Sequence, residues 1–297
     1  MAWPISRRSG PTCGRSPCVA RWTPPSPDEG SQLTATASYP APPGAAGGWL
    51  LPPRRGEVPR LRLFCWPYAG LGASLFVPWS RAAPEGVGIY GIQAPGRESR
   101  IAEPPLSALP HMIERLTAAL VAEPDLFEAP YALLGCSFGA IAAFELARAL
   151  PRAGLPAPTA LIVFACRPPH RVQPVGPFSA LSDDELVGRL QRDYGGVPDE
   201  LREQRELLRL FLPPLRADLA AMERYAPPPA NAALACPVFA RGGADDAQVR
   251  GEVLAEWVRW GAPGSDVRGL AGGHFLVRDD PRAALAETLR TLGYRLS

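Results

Sequence analysis

Residues 131–150 read YALLGCSFGAIAAFELARAL. A short apolar run, Tyr131–Leu134, leads into Gly135-Cys136-Ser137-Phe138-Gly139, and an Ala-rich helical pattern continues to Leu150. The centre is a G-x-S-x-G, a weak pattern by itself in a chain this rich in Gly and Ser. Its setting gives it weight. A strand that turns sharply into a helix holds the serine at the tip of a tight bend with its Oγ exposed, and the glycines permit close backbone approach. The helix N-terminus behind the serine directs its positive dipole end at developing negative charge. Ser137 is the candidate nucleophile.

Working outward, the chain alternates short apolar runs with longer helical patterns. Residues 62–66, 88–93, 131–136, 161–166, 237–241 and 266–270 read as strands. Their unbroken apolarity suits a parallel sheet covered on both faces. Helical spacing fills 111–122, 138–150, 251–260 and 282–292, the last with Asp280 as N-cap and Pro281 at the first helical position. This alternation predicts an α/β fold with a mostly parallel, doubly wound sheet. One stretch breaks the rhythm. Residues 178–225 lack strand signals and hold a capping box at Ser182–Glu185, then helices near 200–211 and 215–225 with Pro213-Pro214 between them. A helical insertion of this kind, about 175–228, is expected to form a lid over the site.

A serine hydroxyl needs a base, and the 297 residues hold three histidines. His111 and His170 lie outside the order nucleophile, acid, base that the strand–turn–helix arrangement requires. His274, in Gly272-Gly273-His274-Phe275, follows the last strand and is the candidate base. Gly242-Gly243-Ala244-Asp245-Asp246 follows the strand at 237–241 and offers two carboxylates to orient the imidazole. Asp246 matches a G-x-x-D-x-x-V pattern ending at Val249 and is preferred, with Asp245 as the alternative. Of the two backbone donors for an oxyanion, one is the residue after the nucleophile, Phe138, and the other should lie in the loop Pro67–Gly72. Gly70-x-Gly72 in that loop resembles the start of a dinucleotide fingerprint. The third glycine position holds Leu75 and no acid ends the next strand, which argues against a nucleotide.

Composition narrows the class. All 31 cations are Arg, against 29 acids, a net charge of +2 without the clustered surplus that nucleic-acid binding needs. No apolar run approaches the roughly 18 residues of a membrane span. Prolines number 37, and 12 of them fall in residues 1–59. That stretch carries six Arg against three acids and reads as a disordered, Pro-rich leader ahead of a near-neutral domain at 60–297. Arg7-Arg8 lacks the apolar segment of an export signal, and Cys13 and Cys18 lack the second ligand pair of a zinc site. Cys65, Cys136, Cys166 and Cys236 lie in or beside apolar runs, as packed free thiols do. A cytoplasmic address is expected.

The segments LFCWPYAGLGAS (63–74), IQAPGRE (92–98), GCSFGAIAAFELAR (135–148), LPPLRADLAAMERY (212–225) and GGHFLV (272–277) occur in collinear order. In this the body resembles the type II thioesterases, stand-alone α/β-hydrolases that serve nonribosomal peptide and polyketide synthases. The Pro-Gly-Arg-Glu and Arg-Ala-Asp elements are the specific ones. Three positions depart from the family pattern: Cys136 stands where the family has His before the nucleophile, Tyr68 replaces the loop His, and Leu71 the second Gly.

The resemblance implies an α/β-hydrolase fold with an inserted helical lid and points to the Ala69 N–H as the second oxyanion donor. It implies hydrolysis of acyl or aminoacyl thioesters from the phosphopantetheine arm of carrier-protein domains, as proofreading of a synthase, by a monomer with no cofactor or metal of its own. A general carboxylesterase or lipase-type hydrolase, or a non-catalytic carrier-binding protein of the same fold, are the competing readings. Cys136 is expected to pack rather than attack, because the elbow aims its successor.

Overall fold

The computed structural model describes residues 45–53, 59–172, 178–195 and 205–296. All of them belong to the unit Thr34–Ser297. Seven strands form one sheet: β1 (Leu50–Leu51), β2 (Leu61–Trp66), β3 (Val87–Ile92), β4 (Tyr131–Cys136), β5 (Leu161–Phe164), β6 (Val238–Gly243) and β7 (Asp266–Leu270), in the order β1-β3-β2-β4-β5-β6-β7. β1 pairs antiparallel with β3, and every other pairing is parallel.

The helices are α1 (Val77–Ala82), α2 (Leu109–Val121), α3 (Phe138–Arg152), α4 (Asp183–Tyr194), α5 (Arg205–Glu223), α6 (Gly251–Ala255), α7 (Leu276–Asp279) and α8 (Pro281–Thr291). Alternation along each strand feeds two cores. Phe64, Trp66, Tyr131 and Leu133 pack with α2, α3 and Trp257 on one face. Leu61, Leu63, Cys65, Ala132 and Leu134 pack with Trp79 of α1 and Leu285 and Leu289 of α8 on the other. With both faces buried, β2 to β6 read as largely apolar runs, legible without a polar alternation, while the edge strand β7, with Asp266 and Arg268, is only partly buried.

Three expectations are revised. The folded unit begins before residue 60. Leu50 and Leu51 pair with Ile92 and Gly91, Trp49 accepts the Gln93 N–H at 2.7 Å, and Trp49 and Leu50 are buried. A two-residue antiparallel edge has too little length to show any period. The rest of the proposed leader, residues 1–44 and 54–58, lies outside the described residues.

Secondly, the double proline does not divide the insertion. α5 runs through Pro213 and Pro214 without a break. The hydrogen bonds the prolines cannot make would have gone to the carbonyls of Arg209 and Leu210, both exposed. Water can solvate those carbonyls, while Leu208, Leu212 and Leu215 keep the buried side packed against α4. Thirdly, the expected helix at 251–260 is α-helical only to Ala255 and tightens to a 3-10 turn over Glu256–Trp260. The Ser182 capping box and the Asp280 cap form as expected, the latter accepting the Ala283 N–H at 2.9 Å.

The glycines of the elbow are required by space. A Cβ on Gly135 would collide with the Gly139 carbonyl and the Ala140 Cα, and one on Gly139 with the carbonyl oxygens of Trp66 and Pro67. Gly135→Ala should therefore destabilise the protein by at least about 3 kcal/mol, the upper range for overpacking, because rigid backbone cannot yield. Gly251→Ala, at a helix start with open space around its Cα, should be neutral or slightly stabilising. Urea denaturation of the two variants reads the contrast. Equal stabilities would remove the close-approach account.

Candidate active site

Four loops at the carboxyl ends of the strands carry the site: after β2, β4, β6 and β7. This is the edge at which open α/β sheets bind ligands. Ser137 caps α3 in a strained conformation, φ 52° and ψ −116°. For a non-glycine residue that geometry costs on the order of 1–3 kcal/mol and persists only where the surroundings enforce it. Here the Ser137 N–H donates to the Phe164 carbonyl at 2.9 Å, and its carbonyl accepts the Ala140 N–H at 2.9 Å.

His274 follows β7 and is 7% exposed. Its Nε2 lies 3.1 Å from Ser137 Oγ, and its Nδ1 lies 2.8 Å from Asp246 Oδ2. A carboxylate can only accept, so the proton sits on Nδ1, and Nε2 is left to accept from the serine hydroxyl. Asp246 Oδ1 in turn accepts the N–H groups of Gln248 at 2.8 Å and Val249 at 3.2 Å. Burial pushes the Asp246 carboxyl up. The hydrogen bond and charge of His274, with the two backbone donors, outweigh burial and hold it below the ordinary aspartate range.

The structure settles which carboxylate meets the histidine. Asp245 is exposed, its backbone N–H bound to the Gly272 carbonyl at 3.0 Å. The turn points its successor inward. His111 is exposed on α2, and His170 contacts Glu256 at 2.6 Å and Trp260 at 3.0 Å instead. Cys136 is fully buried, and burial pushes its thiol well above the ordinary range, which disfavours the thiolate an attack would need. Phe138 opens α3, and Ala69 lies in the loop after β2, packed against both the main core and the cluster formed by α4 and α5. Among the described residues no group of His, Cys, Asp and Glu is arranged to hold a metal, and no helix is long and apolar enough to cross a membrane.

Two contacts were not legible beforehand. Tyr68, standing where the family pattern has His, donates its hydroxyl to the His274 carbonyl at 3.1 Å and so ties the loop after β2 to the histidine loop. Tyr194, the last residue of α4, lays its ring 4.7 Å from the imidazole. The inserted helices thus reach the site. Nothing in the spacing of either tyrosine announces these contacts, since they join segments far apart in the chain.

A family model described as "Thioesterase domain" matches residues 61–292. The chain is 33% identical over 231 residues to the gramicidin S biosynthesis protein GrsT of Aneurinibacillus migulanus, covering 77% of this chain and 88% of that one. It is 36% identical over 219 residues to thioesterase PikA5 of Streptomyces venezuelae, covering 74% and 76%. The structure of the type II thioesterase BorB from the borrelidin biosynthetic cluster superposes with a TM-score of 0.71 at 31% identity, over 84% of this chain and 98% of that one.

The assignment within the Asp pair has a sharp outcome. Asp246→Asn should lower kcat for acyl-ester or thioester hydrolysis by about 10⁴, the scale seen when this partner is lost, while Asp245→Asn stays within about twofold. The depressed Asp246 carboxyl also contributes stability that is fully present above its ordinary value of 3.8 and lost as pH falls through its lower folded-state value. Urea denaturation of parent and Asp246→Asn should therefore give stabilities that converge only below that pH. A gap independent of pH would mean that the ionised carboxylate contact is not what the folded state holds.

Proposed function

Because the chain belongs to the thioesterase family, and is therefore a hydrolase acting on thioester bonds, we propose that it removes acyl or aminoacyl groups from the phosphopantetheine arms of carrier-protein domains. The biosynthetic relatives support that substrate class: GrsT by its name, and BorB by its place in the borrelidin biosynthetic cluster. Its role in this reading is to clear aberrant or stalled acyl groups so that a nonribosomal peptide or polyketide synthase resumes work. The observation that carries the chemistry is the hydrogen-bonded series Asp246–His274–Ser137 at a strained strand-to-helix turn.

The proposed reaction runs in two halves. Ser137 Oγ attacks the thioester carbonyl carbon while its proton passes to His274 Nε2. Asp246 holds the imidazole in the required tautomer and stabilises the imidazolium. The oxyanion of the tetrahedral intermediate accepts from the backbone N–H groups of Phe138 and Ala69, donors set before the charge appears. Collapse breaks the C–S bond, and the pantetheine sulfur leaves with the proton from His274. Water then attacks the acyl-serine ester, giving its proton to His274, and the carboxylic acid departs as Ser137 regains its hydrogen. The enzyme needs no cofactor of its own, since the phosphopantetheine arrives with the substrate. It acts as a cytoplasmic monomer, docking a carrier domain where α4 and α5 border the site.

Turnover of acyl-carrier thioesters measured beside oxygen esters of the same acyl group tests the substrate class, with preference for the thioester expected. A clear preference for the oxygen ester would replace this reading with a general carboxylesterase. Ser137→Ala should abolish hydrolysis to the background left when the nucleophile is removed, a loss of about 10⁶ in kcat. Equal turnover by parent and variant would leave only a binding role.

A further inference from the structure

The loop after β2 is held by side chains that come from elsewhere in the chain. Asp218 lies on α5 with no exposed surface. Its Oδ2 accepts the Gly70 N–H at 2.8 Å and Arg97 Nη1 at 2.6 Å, and its Oδ1 accepts Arg97 Nη2 at 3.0 Å. Arg97 is itself 3% exposed, and its Nη1 also donates to the Leu71 carbonyl at 3.3 Å. Its carbonyl accepts Gln93 Nε2 at 2.7 Å, while Gln93 Oε1 accepts the Ala73 N–H at 2.6 Å. Glu98 accepts the Ser74 N–H at 3.1 Å. Gly70 is left-handed at φ 76°, and a Cβ there would stand 2.8 Å from the Leu215 Cβ of α5. The inserted helix therefore touches the loop directly, with no room between them.

The contact at Gly70 sits one residue beyond the proposed donor Ala69. Fixing the Gly70 N–H fixes the peptide unit that follows Ala69, and hence the direction in which the Ala69 backbone runs. We propose that Asp218 is a positioning residue of the oxyanion hole, locked by Arg97. The second donor is then in place only while α5 is docked against the loop. The proposal rests on the hydrolytic reading above and adds that part of the site is built by the inserted helix. A carboxylate suits the task because it accepts from Gly70 and, at the same time, from both guanidinium nitrogens. The Arg97 fork in turn fixes the angle of the carboxylate.

The test separates positioning from a merely structural ion pair. Two double variants bury no unpaired charge: R97M/D218L, which gives Gly70 no acceptor, and R97M/D218N, which keeps an oxygen facing it. Three quantities are measured on each: kcat and KM with an acyl-carrier thioester, affinity for an acyl trifluoromethyl ketone that forms a tetrahedral adduct, and affinity for an unreactive thioether of the same chain. For R97M/D218L, kcat and ketone affinity should fall together by about 10²-fold or more, the scale of one lost oxyanion donor, with KM and thioether affinity within about threefold. R97M/D218N should recover at least about tenfold of both.

The proposal is overturned if R97M/D218L keeps kcat within about threefold, or if ketone and thioether affinities fall in parallel. Should the double variants not fold by circular dichroism, hydrogen exchange on the unmodified enzyme decides. The ketone adduct should slow exchange in residues 68–74 and 212–222 together, and protection confined to the loop overturns the coupling. A parent that neither hydrolyses thioesters nor forms the adduct at Ser137 would instead sink the hydrolytic reading itself.

Discussion

At Gly135 and Gly139 the end of β4, the first turn of α3 and the end of β2 meet with no side chain between them. This backbone contact is the constraint on which the rest of the site depends. It brings the N-terminus of α3 against the carboxyl edge of the sheet and forces the intervening Ser137 into a conformation that it would not adopt freely. The strain is sustained because β5 supplies the Phe164 carbonyl to the Ser137 N–H. Once the serine is fixed, its Oγ defines the point that the loops after β6 and β7 must reach. The His274 and Asp246 contacts at 3.1 and 2.8 Å are the result.

The buried pair of Arg97 and Asp218 answers a different need. Taking two charges out of water costs several kcal/mol each, and the mutual attraction usually does little more than offset that cost. A well-packed apolar pair of the same volume would serve stability as well. The partners chosen by these two side chains explain their presence better than energy does. Between them and Gln93 and Glu98 they reach the backbone of Gly70 and Leu71 in the loop and of Ala73 and Ser74, which open the 3-10 turn Ala73–Phe76 that follows it. Tyr68 ties the other end to the His274 carbonyl. Departures from the family pattern at Tyr68 and Leu71 thus leave the loop anchored, each through a contact of its own.

Much of this was legible because the signals are local. Largely apolar runs marked β2 to β6, since a strand buried on both faces has few polar positions to place, whereas β7, with Asp266 and Arg268, is only partly buried. The elbow announced itself through two glycines and a serine at fixed spacing. Scarcity did the rest: with three histidines, chain order alone singled out His274. Asp246 was distinguishable from Asp245 only by a spacing pattern, and the geometry behind that pattern is a turn in which its Oδ1 takes the Gln248 and Val249 N–H groups. Where sequence reading failed, it failed for physical causes. β1 is too short to show a period, and Pro213-Pro214 signals a break whose cost falls on the carbonyls of two exposed residues, Arg209 and Leu210.

The sequence by itself determined the order of the main strands and helices, the candidate nucleophile and base, and the place of the helical insertion, because each is written in residues adjacent in the chain. Only the tertiary structure decided which carboxylate meets His274, where the folded unit begins, and that Arg97 and Asp218 close on each other over the loop after β2. Those outcomes depend on the approach of segments separated by tens to more than a hundred residues. Spacing along the chain carries no record of such an approach. It is set by how the sheet twists, how helices pack on its faces, and which buried polar groups are then left to satisfy one another.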